Sequence, residues 1–220
     1  VTEHCKAIIF DLDGTLVDSM WVWPEIDKAY LGQFGITPPY GMEEELEGLS
    51  FTETAAYFKE RFNISDSIEA IKDTWNKMAW EFYTEHITLK DGAYEFLKQT
   101  YKKGLRMGIA TSNSIELVSV ILERLAIKDY FHSIRTSCEV EKGKPYPYIY
   151  LKVAEDLEVE PEECLVFEDI PNGVIAAKRA GMQVWAINDH QKDDVKKKLR
   201  EIADRFIYDY QEAINYFYVK

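Results

Sequence analysis

Short apolar runs that close on small, polar or acidic residues recur along this chain, and the stretches between them place apolar residues three and four positions apart. The runs predict strands over Lys6 to Phe10, Leu105 to Ala110, Cys164 to Phe167 and Val184 to Ile187, with shorter ones near Ile134 and Phe206. Tyr94 to Tyr101, Ile115 to Leu125, Pro147 to Leu157 and Gly173 to Ala180 carry the helical spacing. Strands alternating with helices predict an α/β fold with a doubly wound, Rossmann-like parallel sheet, because parallel neighbours need crossover helices.

The alternation breaks once. Roughly ninety residues separate the first strand from the second, where a crossover helix needs about a dozen. That stretch is rich in aromatic and acidic residues, as in Phe51 to Lys59 and Trp75 to Tyr83, and its period is helical. It predicts a small α-helical cap over residues 17–89, hinged near Val17 to Met20 and Ile87 to Asp91, inserted into a core of 1–16 and 90–220.

Composition narrows the class. A hydrophobic share of 46% is that of an ordinary globular protein, and 220 residues can bury a sizeable core. The net charge of −13 argues against nucleic acid, whose binding depends on Lys and Arg neutralising phosphates. Cys5, Cys138 and Cys164 form no CxxC pair, so neither a disulfide framework nor a thiolate zinc site is expected. The start, Val1 to His4, does not read as a signal peptide, and no apolar run approaches the ~20 residues of a membrane span. The expectation is a cytoplasmic protein without a membrane partner, a monomer or weak homodimer.

Ligands of open α/β sheets bind outside the carboxyl ends of the strands, so the residues that follow each run are the candidates for chemistry. After Ala7 to Phe10 come Asp11-Leu12-Asp13-Gly14-Thr15. Such a string can be a turn, with Asp supplying side-chain bonds and Gly a positive φ. It can equally be a carboxylate site calling for a divalent cation, and hard cations with oxygen ligands most often serve phosphate chemistry. A calcium loop is excluded by spacing, since glycine falls fourth and the twelfth position is Val22. Thr111, Ser112, Asn113 and Ser114 follow the second strand, offering hydroxyls and helix-start amides to an anion, with Ser114 or Asn113 also fit to cap the helix. Lys144 stands between Gly143 and Pro145, on stiff backbone. Glu168 and Asp169 close a further strand; they fit a metal site, or Asp169 fits a helix cap.

Taken together and in order, Asp11-Leu12-Asp13-Gly14-Thr15, Thr111-Ser112, Lys144 and Glu168-Asp169 resemble the four motifs of the haloacid dehalogenase superfamily. The flanks Phe10 to Ser19, Gly143 to Pro147 and Phe167 to Met182 are similar to its branch of beta-phosphoglucomutase and sugar-phosphate phosphatases, which carry a helical cap between the first two motifs. The resemblance implies a Mg²⁺-dependent phosphatase acting on a small phosphorylated metabolite, with a sugar phosphate as the expected substrate. Asp11 would be the nucleophile and Asp13 the general acid and base. Mg²⁺ would be held by Asp11, the Asp13 carbonyl, Glu168 and Asp169. Thr111, Ser112, Asn113, the Leu12 amide and Lys144 would hold the phosphoryl group, and Lys144 would pair with the nucleophile.

That set needs both cations, since without either one the ground state repels its substrate. With Asp13 protonated, Asp11, Glu168 and Asp169 bring three negative charges and a phosphate dianion two, against three positive charges from Mg²⁺ and Lys144. Four positions depart from the branch. Ile170 stands where serine is usual and Tyr148 where an acid is common. Trp23 lies near the mutases' cap histidine, and Thr15 where beta-phosphoglucomutase has valine. An indole nitrogen only donates, so Trp23 favours hydrolysis over the alternative, a phosphosugar mutase. A dehalogenase needs neither the second acid nor a metal. A non-catalytic binding or regulatory protein of the same fold has no reason to keep Asp11, Asp13 and Lys144 together. Trp21 and Trp23 are expected to pack the cap's interior, and Lys192 with Lys196 to Lys198 to form a solvated helix face.

Overall fold

The computed structural model describes residues 5–218; residues 1–4 and 219–220 of the expected core lie outside the described residues. Six parallel strands form the main sheet: β1 (Ala7–Phe10), β4 (Arg106–Thr111), β5 (Ser133–Thr136), β6 (Cys164–Glu168), β7 (Gln183–Ile187) and β8 (Arg205–Ile207), in the order β5-β4-β1-β6-β7-β8. They match the predicted strands to within a residue or two. The chain builds outward from β1 on one side through β4 and β5, then crosses to the other side for β6 to β8. That reversal puts the switch point, and the crevice it opens, at the carboxyl end of β1.

The pleat sorts each strand's side chains onto two faces. Ile8 and Phe10 enter one buried cluster, with Phe167 and residues of α5 (Ala93–Lys102), α6 (Ile115–Arg124) and α10 (Tyr210–Tyr218). Ala7 and Ile9 enter a second, with residues of α7 (Tyr148–Asp156), α8 (Pro171–Arg179) and α9 (Asp193–Ile202). Phe10 stacks on Phe167 with ring centroids 5.4 Å apart. Gly181, at φ +84°, stops the chain just past α8, directly after the predicted helical stretch Gly173 to Ala180.

The long insertion is helical. It comprises α1 (Val22–Gly32), α2 (Met42–Leu46), α3 (Phe51–Arg61) and α4 (Ile68–Glu81), the last running into a π-helical turn over Phe82–His86. Ser50 and Glu53 close a capping box at the start of α3, and Ser67 caps α4. Tyr30, Phe51, Phe58 and Trp75 pack edge to face among these helices, Phe58 and Trp75 at 4.9 Å. The insertion enters and leaves through a two-stranded antiparallel ribbon, β2 (Val17–Asp18) against β3 (Thr88–Leu89), inside the two predicted hinge stretches. No helix among the described residues is long and apolar enough to cross a membrane.

Candidate active site

Three strand ends meet at the switch point. Phe10 pairs with Ile109 on one side and Phe167 on the other, so β1, β4 and β6 release their next residues along one edge. The Asp11 amide donates to the Phe167 carbonyl at 3.0 Å, holding Asp11 at that edge. The Asp11-to-Thr15 string is both of the things its sequence allowed. It turns, with the amides of Thr15, Leu16 and Val17 all donating to the Leu12 carbonyl, and it also gathers acids. Gly14 stands at φ +78°, and a Cβ there would lie 2.3 Å from Asp169 Oδ2. Glycine is required twice over: by the backbone and by the approaching carboxylate.

Lys144 is the only lysine among the described residues that is fully buried, at 2% exposure. Its ammonium donates to Asp11 Oδ1 at 2.7 Å and to Glu168 Oε1. Burial alone would lower its pKa; Asp11 and Glu168 together overcome this and hold it above the ordinary lysine range. Both Glu168 oxygens are engaged. Oε1 also accepts from Tyr150 at 2.6 Å, and Oε2 from the amides of Asp169 and Ile170. Gly173 lies against this carboxylate, since a Cβ there would come within 1.9 Å of Oε1.

Asp169 does not cap α8: Ile170 holds the N-cap position without a side-chain bond. Asp169 Oδ1 instead accepts from Thr15 Oγ1 at 3.1 Å. Asp11, Glu168 and Asp169 each place a carboxylate oxygen within 4.8 Å of the others, and all three are buried. Burial pushes Asp11 up to about 7, and pushes Asp169 well above the carboxylate range, Asp11 and Glu168 adding to the effect. Buried acids held this close, with Lys144 the one cation among the described residues in contact with them, suit a divalent cation of oxygen-ligand chemistry.

Asp13 is held differently. Oδ1 accepts from Ser19 Oγ at 2.6 Å and from the Tyr83 hydroxyl, and Oδ2 from Asn113 Nδ2 at 2.8 Å. Burial raises its pKa while these three donors pull it down. Asn113 also donates to the Tyr83 oxygen at 2.8 Å, so its amide group is turned to the acid and the phenol. Ser114 caps α6, accepting from the Leu117 amide. Thr111 Oγ1 accepts from the Asn113 amide at 3.2 Å, and Ser112 Oγ donates to the Gly48 carbonyl of the insertion at 3.4 Å. The Leu12 side chain is buried in the core, and its amide has no acceptor among the described residues.

Asp11, Asp13, Thr111, Ser112, Asn113, Lys144 and Asp169 line a single cavity of about 520 Å³ between the sheet edge and the insertion; Glu168 lies beneath it. Trp21 and Trp23 line it too. Trp21 is 43% exposed and edge-on to Phe82, so it forms cavity wall; Trp23 packs edge-on to Phe51 against the insertion's core, as expected, and lines the cavity as well. Ile170 is part of the wall, whereas Tyr148 stacks on Tyr146 at the surface. Lys197 and Lys198 are exposed on α9 and Lys196 partly so, as expected of a solvated face; Lys192 reaches Glu44 at 3.3 Å.

Four contributors were not identified from the sequence: Ser19, Tyr83, Tyr150 and Asp189. Asp189 had a usable signal, because it is an acid two residues past the end of β7; it pairs with Lys90 beside the ribbon. Tyr83 and Tyr150 had none, each being one aromatic residue in a helical run.

Residues 8–187 match the model of the family described as haloacid dehalogenase-like hydrolase. The phosphorylated carbohydrates phosphatase of Thermotoga maritima is 31% identical over 84% of this chain and 88% of its own length. Hexitol phosphatase A of Escherichia coli K12 is 33% identical over 84% of each. The structure of beta-phosphoglucomutase from Clostridium difficile superposes with a TM-score of 0.79, covering 98% of this chain and 100% of that one, at 24% identity. The chain belongs to the haloacid dehalogenase-like hydrolases. Within them it falls in the beta-phosphoglucomutase-like and sugar-phosphatase branch, and it is an enzyme of the phosphatase type.

Proposed function

We propose that the protein is a Mg²⁺-dependent phosphatase of small phosphorylated metabolites, sugar phosphates foremost, working through an aspartyl-phosphate on Asp11, with residues 17–89 as its cap. The observation that carries the reading is the contact of Lys144 with both Asp11 and Glu168 at the edge where Asp13 and Thr111 also emerge. Mg²⁺ bound by Asp11, Asp169, the Asp13 carbonyl and Glu168 would supply charge neutralisation for the phosphoryl oxygens.

In the first step an Asp11 oxygen attacks phosphorus, the ester P–O bond breaks, and the departing alkoxide takes the proton of Asp13. Asp13 Oδ2, with one donor against the two on Oδ1, is the oxygen able to carry that proton. Water then attacks phosphorus, gives a proton to Asp13, and frees phosphate and the Asp11 carboxylate. Lys144 keeps Asp11 oriented, while Thr111 and the amides of Leu12 and Ser112 receive the phosphoryl oxygens. The identities to two named phosphatases, one of carbohydrates and one of hexitols, support the sugar-phosphate class. Trp23 at the cavity supports hydrolysis over phosphosugar mutation, since an indole cannot shuttle the proton a mutase moves.

The deciding experiment is phosphate release from a panel of metabolite esters, with Mg²⁺ and after chelation, using Asp11→Asn as the blank. Release that needs Mg²⁺ and vanishes in the folded variant is expected; undiminished release by Asp11→Asn would remove the covalent route.

A further inference from the structure

The cavity has two unlike ends. At the sheet edge lie the acids and Lys144; the opposite wall comes from the insertion and carries Asp27, Glu43, Glu44 and Glu47. No Lys, Arg or His of the insertion lines the cavity among the described residues. The basic side chains that do line it have partners already: Lys144 holds Asp11 and Glu168, Lys192 reaches Glu44, and His190 lies 3.5 Å from Asp18. A substrate's phosphoryl group is therefore provided for, and a second anion is not.

Asp27 differs from its neighbours. Glu47 accepts from the Asn172 amide at 3.0 Å and Glu44 from Lys192, and Glu43 is exposed, whereas Asp27 is half-buried and has no hydrogen bond or ion pair among the described residues. It sits one helical turn from Trp23 on α1, so a carboxyl and an indole face share the wall. Partial burial, with Glu43 adding to it, pushes its pKa up to about 7, the condition of a carboxyl short of donors. Hydroxyl groups would supply the donors, and the indoles would cover the apolar face of a polyol or sugar. A carboxylate or second phosphate would meet the like charge of Glu43, Glu44 and Glu47 and of ionised Asp27 on this wall.

We propose that the cavity selects phosphate monoesters whose alcohol part carries hydroxyl groups and no second negative charge, with Asp27 as the specificity-determining carboxylate. The inference rests on the hydrolase reading above and narrows its substrate class.

The test compares matched esters in the full protein with Mg²⁺, p-nitrophenyl phosphate, an activated ester without hydroxyl groups or a second charge, serving as a general check of hydrolysis. Glucose 6-phosphate is paired with 6-phosphogluconate and with glucose 1,6-bisphosphate, and glycerol 3-phosphate with 3-phosphoglycerate. The neutral member of at least one pair is expected to show kcat/KM about tenfold or more above its anionic partner. Asp27→Asn should shrink that ratio at least about threefold, and Asp27→Glu should keep it, so the ratio reports specificity even where a variant loses some folded protein. Hydrolysis of p-nitrophenyl phosphate with no preference in any pair, with the anionic member preferred, or with a ratio unmoved by Asp27→Asn overturns the inference alone. No phosphate release from any of these esters, p-nitrophenyl phosphate included, overturns the hydrolase reading and this inference with it.

Discussion

The Tyr83 hydroxyl donates to Asp13 Oδ1 across a separation of 70 residues, linking the π-helical turn at the end of the insertion to the proposed acid and base of the core. Tyr83 is fully buried, and Arg124 donates to its carbonyl at 2.9 Å, fixing the backbone from which the ring projects. π turns tend to mark functional positions, and this one aims a phenol at a carboxyl group. Tyr83→Phe keeps the ring and deletes the donor. We expect kcat to fall by about 10- to 100-fold with a smaller change in KM, and the basic limb of the pH–rate profile to move, since a donor that lowers the Asp13 pKa is gone. Stopped-rate assays across pH 5 to 9 check this; a variant with only a lower melting temperature would make Tyr83 a packing residue.

Lys144 is the positive charge that the buried acids share. Lys144→Met leaves Asp11 and Glu168 facing one another without it, and removing one partner of a buried ion pair typically costs about 3–5 kcal/mol. Urea denaturation of the metal-free variant should show a loss of that size, and Mg²⁺ should stabilise the variant more than the wild type because it relieves the same repulsion. Equal Mg²⁺ stabilisation of both proteins would mean that metal and lysine act on different charges.

Much of this arrangement was legible because its signals are local. A strand that ends in an acid can be read from a handful of residues, and Asp11, Glu168 and Asp169 emerge from β1 and β6 where those runs placed them. Lys144, a poor clue by itself, was marked by its place in order among the other strand-end segments, and the insertion by length alone. Tyr83 could not be read, because its role depends on a π turn and on a partner far away in sequence. Trp21 was misplaced for a related reason. Aromatic rings at helical spacing usually fill cores, but Trp21 stands at the N-cap of α1, outside the stripe formed by Val22, Ile26 and Tyr30.

Two glycines test how tightly the acids are seated. A Cβ on Gly173 would fall 1.9 Å from Glu168 Oε1, so Gly173→Ala must displace a carboxylate that also bonds Lys144 and Tyr150. Gly14→Ala adds backbone strain at φ +78° to a clash with Asp169 Oδ2. Each should lose about 2–4 kcal/mol of stability, and Gly14→Ala should weaken Mg²⁺ binding measured by calorimetry. Gly104 is the control: φ is +73° but nothing lies within 4 Å, so Gly104→Ala should cost only about 1–2 kcal/mol of backbone strain. Equal losses at all three positions would show that backbone conformation, and not the seated carboxylates, sets the cost.

Asp27 makes a prediction that does not depend on turnover. Its folded pKa, pushed up to about 7 by burial and then by Glu43, lies above the ordinary aspartate value near 3.9 that the unfolded chain restores. The folded protein therefore holds this proton more tightly than the unfolded chain does. The stability linked to that proton is fully present below pH 4 and is lost as pH rises through about 7, because each unit in between charges the unfolded form while the folded form stays neutral. Asn imitates the neutral acid at every pH. Asp27→Asn should thus gain on the wild type progressively from pH 5 to pH 7 and keep a constant lead of about 1–3 kcal/mol above it, less than the full shift implies because water reaches the cavity wall. Urea midpoints of both proteins in chelator at pH 5, 7 and 8 measure the gap; a gap that is flat across this range would place Asp27 in ordinary contact with solvent.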